Sequence, residues 1–350
     1  MPLNGGAFPQ LSGDLSRIQE RLINLVSVAD EKLREPVLHS IKRGGRLFRP
    51  ILALTSFYIL SQDPDRPASP AALDAAAATE LLHIATLHHD DLIDNAQTRR
   101  GGLTVNAQFG DAAALLTGDY LLARSMEVAA SLGRAEMELM SETLSSICMG
   151  QMLETLQLFE HPRSEEDYFS AIAGKTAALM RASAMIGAIE AAADEETQAV
   201  LAYYGQRLGL AFQIWDDILD LCQNGNTGKA VGKDLDNGVY TLPVIYAIRE
   251  FREDLVPMLG KAPLSSADRH AALGLIQRSG ALHKAARFAQ LHVNDAIEAI
   301  TRLECPAAGQ PGMAERLLNI TQHIAPQQHA VLQTLQADTE LQLSQSVPLG

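Results

Sequence analysis

The pattern of apolar and polar positions is helical along most of the chain, because Ala, Leu, Glu, Gln, Arg and Met dominate and long segments lack Gly and Pro. No useful stretch alternates apolar and polar residues with the period of two that is typical of a strand. The pattern predicts helices at Leu11–Ser27, Glu35–Ile41, Pro50–Ser61, Ala71–Asn95, Ala107–Gly133, Ala135–Leu158, Glu165–Ala192, Glu195–Leu221, Leu242–Phe251, Ala267–Ser279, Ala281–Ile300 and Ala314–Ile324.

Short segments rich in Gly and Pro separate these helices, as at Asp63–Pro67, Gly225–Gly238 and Cys305–Gly312. Their lengths are typical of loops rather than of domain linkers. We therefore expect an all-α protein in which residues 1–350 form a single-domain helical bundle. The Gln-rich segment 326–350 is expected to be a fraying tail.

Composition and charge exclude several classes of protein. The 350 residues are 47% hydrophobic and 20% charged, which excludes a disordered chain, and the net charge of -14 argues against nonspecific binding to nucleic acid or anionic membranes. The start of the chain does not resemble a signal peptide, and no apolar run is long enough to cross a membrane. Three widely spaced cysteines favour neither a disulfide scaffold nor a zinc knuckle. We expect a cytoplasmic protein.

The first acidic motif is Leu87-His-His-Asp-Asp-Leu-Ile-Asp94. Asp90 and Asp94 are four residues apart, so on a helix they share one face and repel each other. Apolar residues upstream suggest partial burial, and buried carboxylates need a partner. Mg²⁺ is a natural candidate because it takes one or two carboxylates together with phosphate oxygens. The alternative is a solvated acidic helix end.

A second acidic motif, Phe212-Gln-Ile-Trp-Asp-Asp-Ile-Leu-Asp220, repeats this spacing with Asp216, Asp217 and Asp220. Its apolar surroundings are stronger, so a solvated face is the less favoured interpretation. Two such motifs suggest two carboxylate walls that face each other across one cavity and hold a polyanion through shared metal ions.

The cations of this acidic chain lie beside turns and acidic motifs. Arg and Lys in such places suit phosphate recognition, and glycines allow backbone N–H groups to approach an anion. Taken singly, each cation could be an ordinary surface residue, and His83 could be a core histidine. The candidates are Arg46, Arg49, Arg99, Arg100, Lys175, Lys229 and Lys233.

Taken together, the motifs resemble the trans-polyprenyl diphosphate synthases of the class I isoprenoid synthase fold. The resemblance covers roughly residues 15 to 300 and includes Glu80–Asp94, Arg99-Arg-Gly101, Gly118-Asp-Tyr-Leu121, Gly174-Lys-Thr-Ala177, Phe212–Leu221, Gly232-Lys-Asp-Leu235 and Thr241-Leu-Pro243. It implies an all-α fold with a central active-site cavity in each subunit of a homodimer. It also implies a prenyltransferase that joins isopentenyl diphosphate to an allylic diphosphate with the help of Mg²⁺.

The resemblance also implies roles for individual residues. Metal binding would involve Asp90, Asp94, Asp216 and Asp220, with Asp91 and Asp217 in support and Asp234 outside them. The allylic diphosphate would contact Arg99, Lys175, Thr176, Gln213 and Lys229. Isopentenyl diphosphate would contact Gly45, Arg46, Arg49, His83 and Arg100. Lys233 fits the family less well as a contact.

The chain departs from the family pattern at several positions. Arg46 stands where the family usually has Lys, and Leu47 replaces an Arg. His88 stands in place of an aliphatic residue. None of these changes removes a metal ligand, and we expect an active enzyme.

Product length is expected to depend on the depth of the cavity. Going up the helix from Asp90, the growing tail would meet the small residues Thr86 and Ala85, and then Leu82 as a floor. The absence of bulky aromatic residues here suggests a product longer than fifteen carbons. The alternative is that Ala85 and Thr86 merely pack against a neighbouring helix.

Three other functions stay open from the sequence. His88-His89-Asp90 could belong to an HD-type metal-dependent phosphohydrolase, although that class does not explain the second acidic motif. A class I terpene cyclase shares the first motif but typically carries an Asn/Ser/Glu motif later. A noncatalytic regulatory subunit of a synthase would tend to lose acidic residues, and none is lost here.

Overall fold

A computed structural model describes residues 8–27, 30–161, 163–222, 231–260 and 264–303. The described residues are almost entirely helical, which confirms the all-α class. The helices are α1 Leu11–Leu25, α2 Glu31–Lys42, α3 Phe48–Leu60, α4 Pro70–Ile93, α5 Val105–Phe109, α6 Asp111–Leu132, α7 Arg134–Leu156, α8 Glu165–Ile172, α9 Ala178–Glu190, α10 Glu195–Leu221, α11 Lys233–Asp236, α12 Leu242–Glu250, α13 Arg252–Leu259, α14 Ser266–Arg278 and α15 Ala281–Thr301. A π-helix occupies Ala173–Ala177, and a small antiparallel pair joins β1 Thr98–Arg99 to β2 Gly102–Leu103.

Most of the predicted helices agree with these bounds to within two residues at each end, and α10 has the predicted limits. The prediction for α2 was too short, since this helix begins at Glu31 rather than Glu35. The predicted helix Ala314–Ile324 and the predicted tail 326–350 lie outside the described residues.

Two long predicted helices are interrupted. The segment 107–133 breaks at Gly110, whose φ of 91° places it in a backbone region that favours glycine, so α5 ends there and α6 begins. The segment 165–192 contains the π-helix between α8 and α9. Helix α11 lies within the predicted loop Gly225–Gly238, and no helix was predicted where α13 forms. Pro257 lies late in α13, and Leu255 and Leu259 are fully buried.

The chain forms two compact units. Of the described residues, unit 1 comprises those within 8–146, 178–206 and 297–303, and unit 2 comprises those within 147–177 and 207–296. The single domain expected from the sequence stays a prediction. No helix in the described part of the chain is long and apolar enough to cross a membrane.

The core of unit 1 is built around α4, which packs against α3, α6 and α9. Ser69 caps α4 by accepting a hydrogen bond from the Ala72 backbone N–H, and Pro70 occupies its first turn, where proline costs nothing. Small buried residues let α4 approach its neighbours closely, as with Ala75 and Ala78. The C-terminal end of this helix carries the first acidic motif.

The core of unit 2 surrounds the second half of α10. Trp215 and Ile218 are fully buried, and Tyr168 of α8 is 1% exposed. Ser164 and Asp167 form a reciprocal cap at the start of α8, which fixes where that helix begins. Unit 2 thereby holds the second acidic motif on a rigid helix.

Candidate active site

The first acidic motif lies at the C-terminal end of α4, where the helix dipole adds negative potential to its carboxylates. Asp94 is exposed and Asp90 is half-buried, whereas Asp91 is buried. Arg99 donates from Nε to Asp91 Oδ1 over 2.7 Å. The two outer aspartates are thus more exposed than the middle one, which anchors the β-hairpin that follows the helix.

Two arginines clasp this hairpin to the glycine turn between α2 and α3. Arg100 Nη1 donates to the Gly44 carbonyl, and Arg43 Nη1 donates to the Leu103 carbonyl in the opposite direction. A Cβ atom at Gly45 would lie 2.7 Å from Arg100 Nη1, so the glycine is required for this close approach. The clasp joins the first acidic motif to the turn that carries Arg46.

A buried polar group lies behind the glycine turn. Glu80 is 3% exposed, and burial raises the pKa of its carboxyl despite the opposing charge of Arg49. Burial lowers the pKa of Arg49 to about 10, with Glu80 opposing the shift. The pKa of His83 is held well below its usual range, first by burial and then by Arg49 and Arg100, so the imidazole is neutral at pH 7.

A cavity of about 230 Å³ adjoins the same turn. Its lining includes Gly45 and Arg100 of the predicted isopentenyl diphosphate site, together with Glu80 and Leu47. The side chains of Arg46, Arg49 and His83 do not line it. Leu47, which replaces the Arg typical of the family, adopts a left-handed conformation with φ 51° and is 8% exposed.

The second acidic motif has the same division between outer and middle aspartates. Asp216 is exposed and Asp220 is half-buried, whereas Asp217 is 4% exposed. Each oxygen of Asp217 accepts a hydrogen bond, one from the Tyr168 hydroxyl at 2.6 Å and one from Gln213 Nε2 at 2.8 Å. Burial raises the pKa of Asp217 to about 7, although both hydrogen bonds oppose the shift.

Asp220 connects α10 to the short helix α11. Its carboxylate accepts from the backbone N–H groups of Lys233 at 3.3 Å and Asp234 at 3.1 Å. Burial raises the pKa of both Asp220 and Asp234, and the neighbouring carboxylate raises that of Asp234 further. The raised pKa values mean that burial and mutual repulsion disfavour the ionised forms of this pair, and a nearby cation would favour them.

The π-helix carries Lys175 and Thr176 in unit 2. Lys175 Nζ lies 2.5 Å from Glu154 Oε1, and the Thr176 hydroxyl donates to Gln213 Oε1 over 2.7 Å. Gly150 of α7 lets the two helices approach, because a Cβ there would lie 2.7 Å from the Ala171 carbonyl oxygen. π-Helical turns are frequent at functional sites, where they redirect side chains.

The remaining predicted site residues are placed as follows. Leu82 and Ala85 are fully buried in unit 1, and Thr86 is half-buried, donating to the His83 carbonyl over 2.9 Å. Lys229 lies outside the described residues. Within the ranges that the structure describes, no three His, Cys, Asp or Glu side chains form a group that could hold a metal ion by themselves.

Sequence reasoning missed four residues of this site. Arg43 stands directly before Gly44-Gly45 and could have been found as a further cation of that turn. Glu154, Arg163 and Tyr168 carry no motif that would have singled them out. Their roles depend on the packing of α7 and α8 against the second acidic motif.

Comparison with known proteins identifies the family. The family model for polyprenyl synthetase matches residues 30–276, which is well over half of the chain. The chain belongs to the polyprenyl synthetase family. It is 35% identical over 275 residues to nonaprenyl diphosphate synthase of Mycobacterium tuberculosis, covering 77% of this chain and 81% of that protein. It is 32% identical over 295 residues to heptaprenyl diphosphate synthase component 2 of Geobacillus stearothermophilus, covering 84% of this chain and 91% of that protein.

A solved structure agrees with these relatives. Polyprenyl synthase of Caulobacter crescentus, crystallised with calcium and isoprenyl diphosphate, superposes with a TM-score of 0.81 and 27% identity, covering 92% of this chain and 98% of that one. This member of the polyprenyl synthetase family is a prenyltransferase. The comparisons do not favour a phosphohydrolase, a terpene cyclase or a regulatory subunit.

Proposed function

We propose that the chain condenses isopentenyl diphosphate with an allylic diphosphate and releases a trans-polyprenyl diphosphate longer than fifteen carbons. The observation that carries this proposal is the shared design of the two acidic motifs. In each, the middle aspartate is buried and bonded to protein donors, while the outer aspartates are exposed or half-buried, and Asp220 also accepts from two backbone N–H groups. A diphosphate with its counterions needs such accessible oxygens at a fixed spacing.

The donor set suits a hard divalent cation. Asp90, Asp94, Asp216 and Asp220 offer carboxylate oxygens, and Mg²⁺ prefers oxygen ligands shared with substrate phosphates. A cation bound beside Asp220 and Asp234 would favour their ionised forms, which burial disfavours. Bound Mg²⁺ would neutralise the diphosphate and make it a better leaving group.

Protein cations and hydrogen-bond donors would orient the allylic diphosphate. Lys175 supplies an ammonium group beside Glu154, and Thr176 and Gln213 supply polar groups already ordered by their mutual hydrogen bond. Arg99 and Lys229 complete the proposed set. Such preorganised groups stabilise the charge that builds on the diphosphate as its bond to carbon breaks.

The proposed isopentenyl diphosphate contacts are Gly45, Arg46, Arg49, His83 and Arg100. Burial disfavours an isolated charge, so a diphosphate bound beside Arg49 would stabilise its charged guanidinium. Neutral His83 can still donate one N–H group to a phosphate oxygen. These residues would hold the double bond of isopentenyl diphosphate close to the allylic cation.

Apolar walls would protect that cation from water. The double bond of isopentenyl diphosphate supplies the electron pair that forms the new carbon–carbon bond to the allylic cation. A proton then passes to the released diphosphate. No side-chain nucleophile is needed. In this proposal the small side chains of Thr86 and Ala85 line the path of the growing tail and Leu82 is its floor, so the product passes fifteen carbons.

The assembly we propose is a homodimer in the cytoplasm. Three large apolar side chains of α7, Met149, Met152 and Leu156, are 57%, 56% and 75% exposed, and their spacing places them on one helix face. Light scattering after size-exclusion chromatography should give twice the chain mass. A monomer that gains activity only with a second protein would instead indicate a two-component synthase, as the name of the Geobacillus relative suggests for that protein.

Mass analysis of the products tests the reaction. The purified chain is incubated with Mg²⁺, isopentenyl diphosphate and allylic primers of ten, fifteen and twenty carbons, and phosphate release is measured in parallel. We expect polyprenyl diphosphates beyond fifteen carbons and one diphosphate released per unit added. Phosphate release without chain growth, or a cyclic hydrocarbon, would reject the proposal.

A further inference from the structure

Tyr168 is a buried tyrosine whose hydroxyl reaches the second acidic motif. Its side chain is 1% exposed, and its hydroxyl donates to Asp217 Oδ2 over 2.6 Å. Because Gln213 bonds the other oxygen, the two contacts fix the rotation of the carboxylate. Tyr168 comes from α8, so it acts on α10 from a neighbouring element.

Arg163 and the start of α8 hold Tyr168 in this position. The guanidinium of Arg163 lies 5.6 Å from the centre of the Tyr168 ring. Arg163 donates to Gln157 Oε1 at 2.9 Å and to the Tyr240 carbonyl at 3.1 Å, which fixes the cation in turn. The ring therefore has little freedom to move away from Asp217.

The hydrogen bonds continue from Asp217 to residues proposed to bind the allylic diphosphate. Gln213 donates to Asp217 through Nε2 and accepts from the Thr176 hydroxyl through Oε1. This pattern allows only one orientation of the amide, and it leaves one N–H of Nε2 for another acceptor. A fixed orientation of the Asp217 carboxylate therefore also fixes the orientations of the Gln213 amide and the Thr176 hydroxyl.

We propose that Tyr168 is a positioning residue of the allylic diphosphate site, acting through Asp217 on Gln213 and Thr176. This inference rests on the proposed function. Without the hydroxyl, Asp217 Oδ2 is a buried acceptor that needs a new donor, and a carboxylate that rotates to find one disturbs its bond to Gln213 Nε2. The result is weaker binding of that substrate and not of isopentenyl diphosphate.

Unit 1 offers a matched control for a purely structural role. Tyr58 is fully buried, and its hydroxyl donates to the buried Asp14 over 2.7 Å. Asp14 also accepts from Arg17 and from the Ala68 backbone N–H, each at 2.7 Å, and none of these residues belongs to the proposed site. Tyr58→Phe removes the same kind of hydrogen bond as Tyr168→Phe.

The test compares Tyr168→Phe, Tyr58→Phe and the unaltered enzyme. We expect Tyr168→Phe to raise KM for the allylic diphosphate about tenfold while KM for isopentenyl diphosphate stays within twofold. Tyr58→Phe should lower the melting temperature without changing either KM. Equal KM values for Tyr168→Phe and the unaltered enzyme, or a parallel rise for both substrates, would overturn the proposal.

A second readout does not depend on turnover. Inorganic diphosphate with Mg²⁺ should raise the melting temperature of the unaltered enzyme and of Tyr58→Phe, and the diphosphate concentration needed should be several-fold higher for Tyr168→Phe. If the unaltered enzyme makes no polyprenyl product but shows this difference, the proposed function fails and the positioning role stands.

Arg163→Lys replaces Tyr168→Phe if that variant does not fold. It keeps a cation near the ring but loses the two hydrogen bonds that fix Arg163, so it should raise KM for the allylic diphosphate alone. An unchanged KM for the allylic diphosphate would overturn the proposal.

Discussion

Gly150→Ala is a one-methyl change aimed at the π-helix. A Cβ at position 150 would lie 2.7 Å from the Ala171 carbonyl oxygen and 2.8 Å from the Gly174 carbonyl carbon. Both are backbone atoms, so no side chain can rotate away to make room. The methyl group must push α7 away from the turn that carries Lys175 and Thr176.

The expected cost follows from two opposing terms. Alanine in a helix interior is favoured over glycine by roughly 0.5–1 kcal/mol. Overpacking a rigid contact costs about 1–3 kcal/mol, and rigid backbone neighbours place this site at the upper end. The net destabilisation is about 2 kcal/mol. With an unfolding entropy near 2.1 cal/mol/K per residue over 350 residues, the melting temperature should fall by about 3 °C.

The assay combines calorimetry with steady-state kinetics. Because the displaced turn carries two of the proposed diphosphate contacts, we expect KM for the allylic diphosphate to rise at least tenfold at a temperature where the variant is folded. Gly13→Ala is the matched control. No atom lies within 4 Å of a Cβ added at Gly13, which is an exposed position of α1.

Gly13→Ala should therefore raise the melting temperature slightly and leave both KM values unchanged. If Gly150→Ala also stabilised the protein, or destabilised it with an unchanged allylic KM, the reasoning about this helix contact would be wrong.

Three further outcomes follow from other parts of unit 1. Burial, and then the charge of Glu136, raise the pKa of Glu190 to about 7. Between about pH 4.5 and 7 the folded state therefore holds a proton on Glu190 that the unfolded state has lost, so the free energy of unfolding falls as the pH rises through that window. Glu190→Gln should raise the free energy of unfolding at pH 8 by roughly 1 kcal/mol, a value reduced for the partial exposure of this group, and should change it little at pH 4. Calorimetry that gives equal gains at pH 4 and pH 8 would refute this. Arg43→Ala should raise KM for isopentenyl diphosphate several-fold by releasing the hairpin clasp, whereas Arg134→Ala, at an exposed position of α7, should not, and equal effects would argue against the clasp. Thr86→Phe should shorten the products seen by mass spectrometry, and unchanged products would remove this residue from the tail's path.

How far the sequence predicts the helices depends on where their limits arise. Helix α10 has the predicted bounds, since its apolar pattern and its flanking breaks are local features. The break at Gly110 depends on a positive φ, which a single glycine in the sequence does not predict. The π-helix packs closely against Gly150, which belongs to another helix, α7. Its position could not be predicted from the residues that form it.

The candidate site also combines features that the sequence predicts with features that only the fold determines. The two acidic motifs and the nearby cations were visible because their spacing is local. The difference between outer and middle aspartates was not, because identical residues take different roles according to what packs on them. Arg99 holds Asp91, and Tyr168 with Gln213 holds Asp217. Only the folded arrangement of the neighbouring elements reveals these partners.

A double-mutant cycle tests most directly whether both acidic motifs act on one diphosphate. kcat/KM for chain elongation is measured with the unaltered enzyme, Asp90→Asn, Asp216→Asn and the double variant, each checked for its fold by circular dichroism. Residues that grip one leaving group act as a unit, so each single change should cost about 100-fold or more and the double variant should be little worse than either. Losses that multiply in the double variant, or a single variant with full activity, would contradict a shared diphosphate.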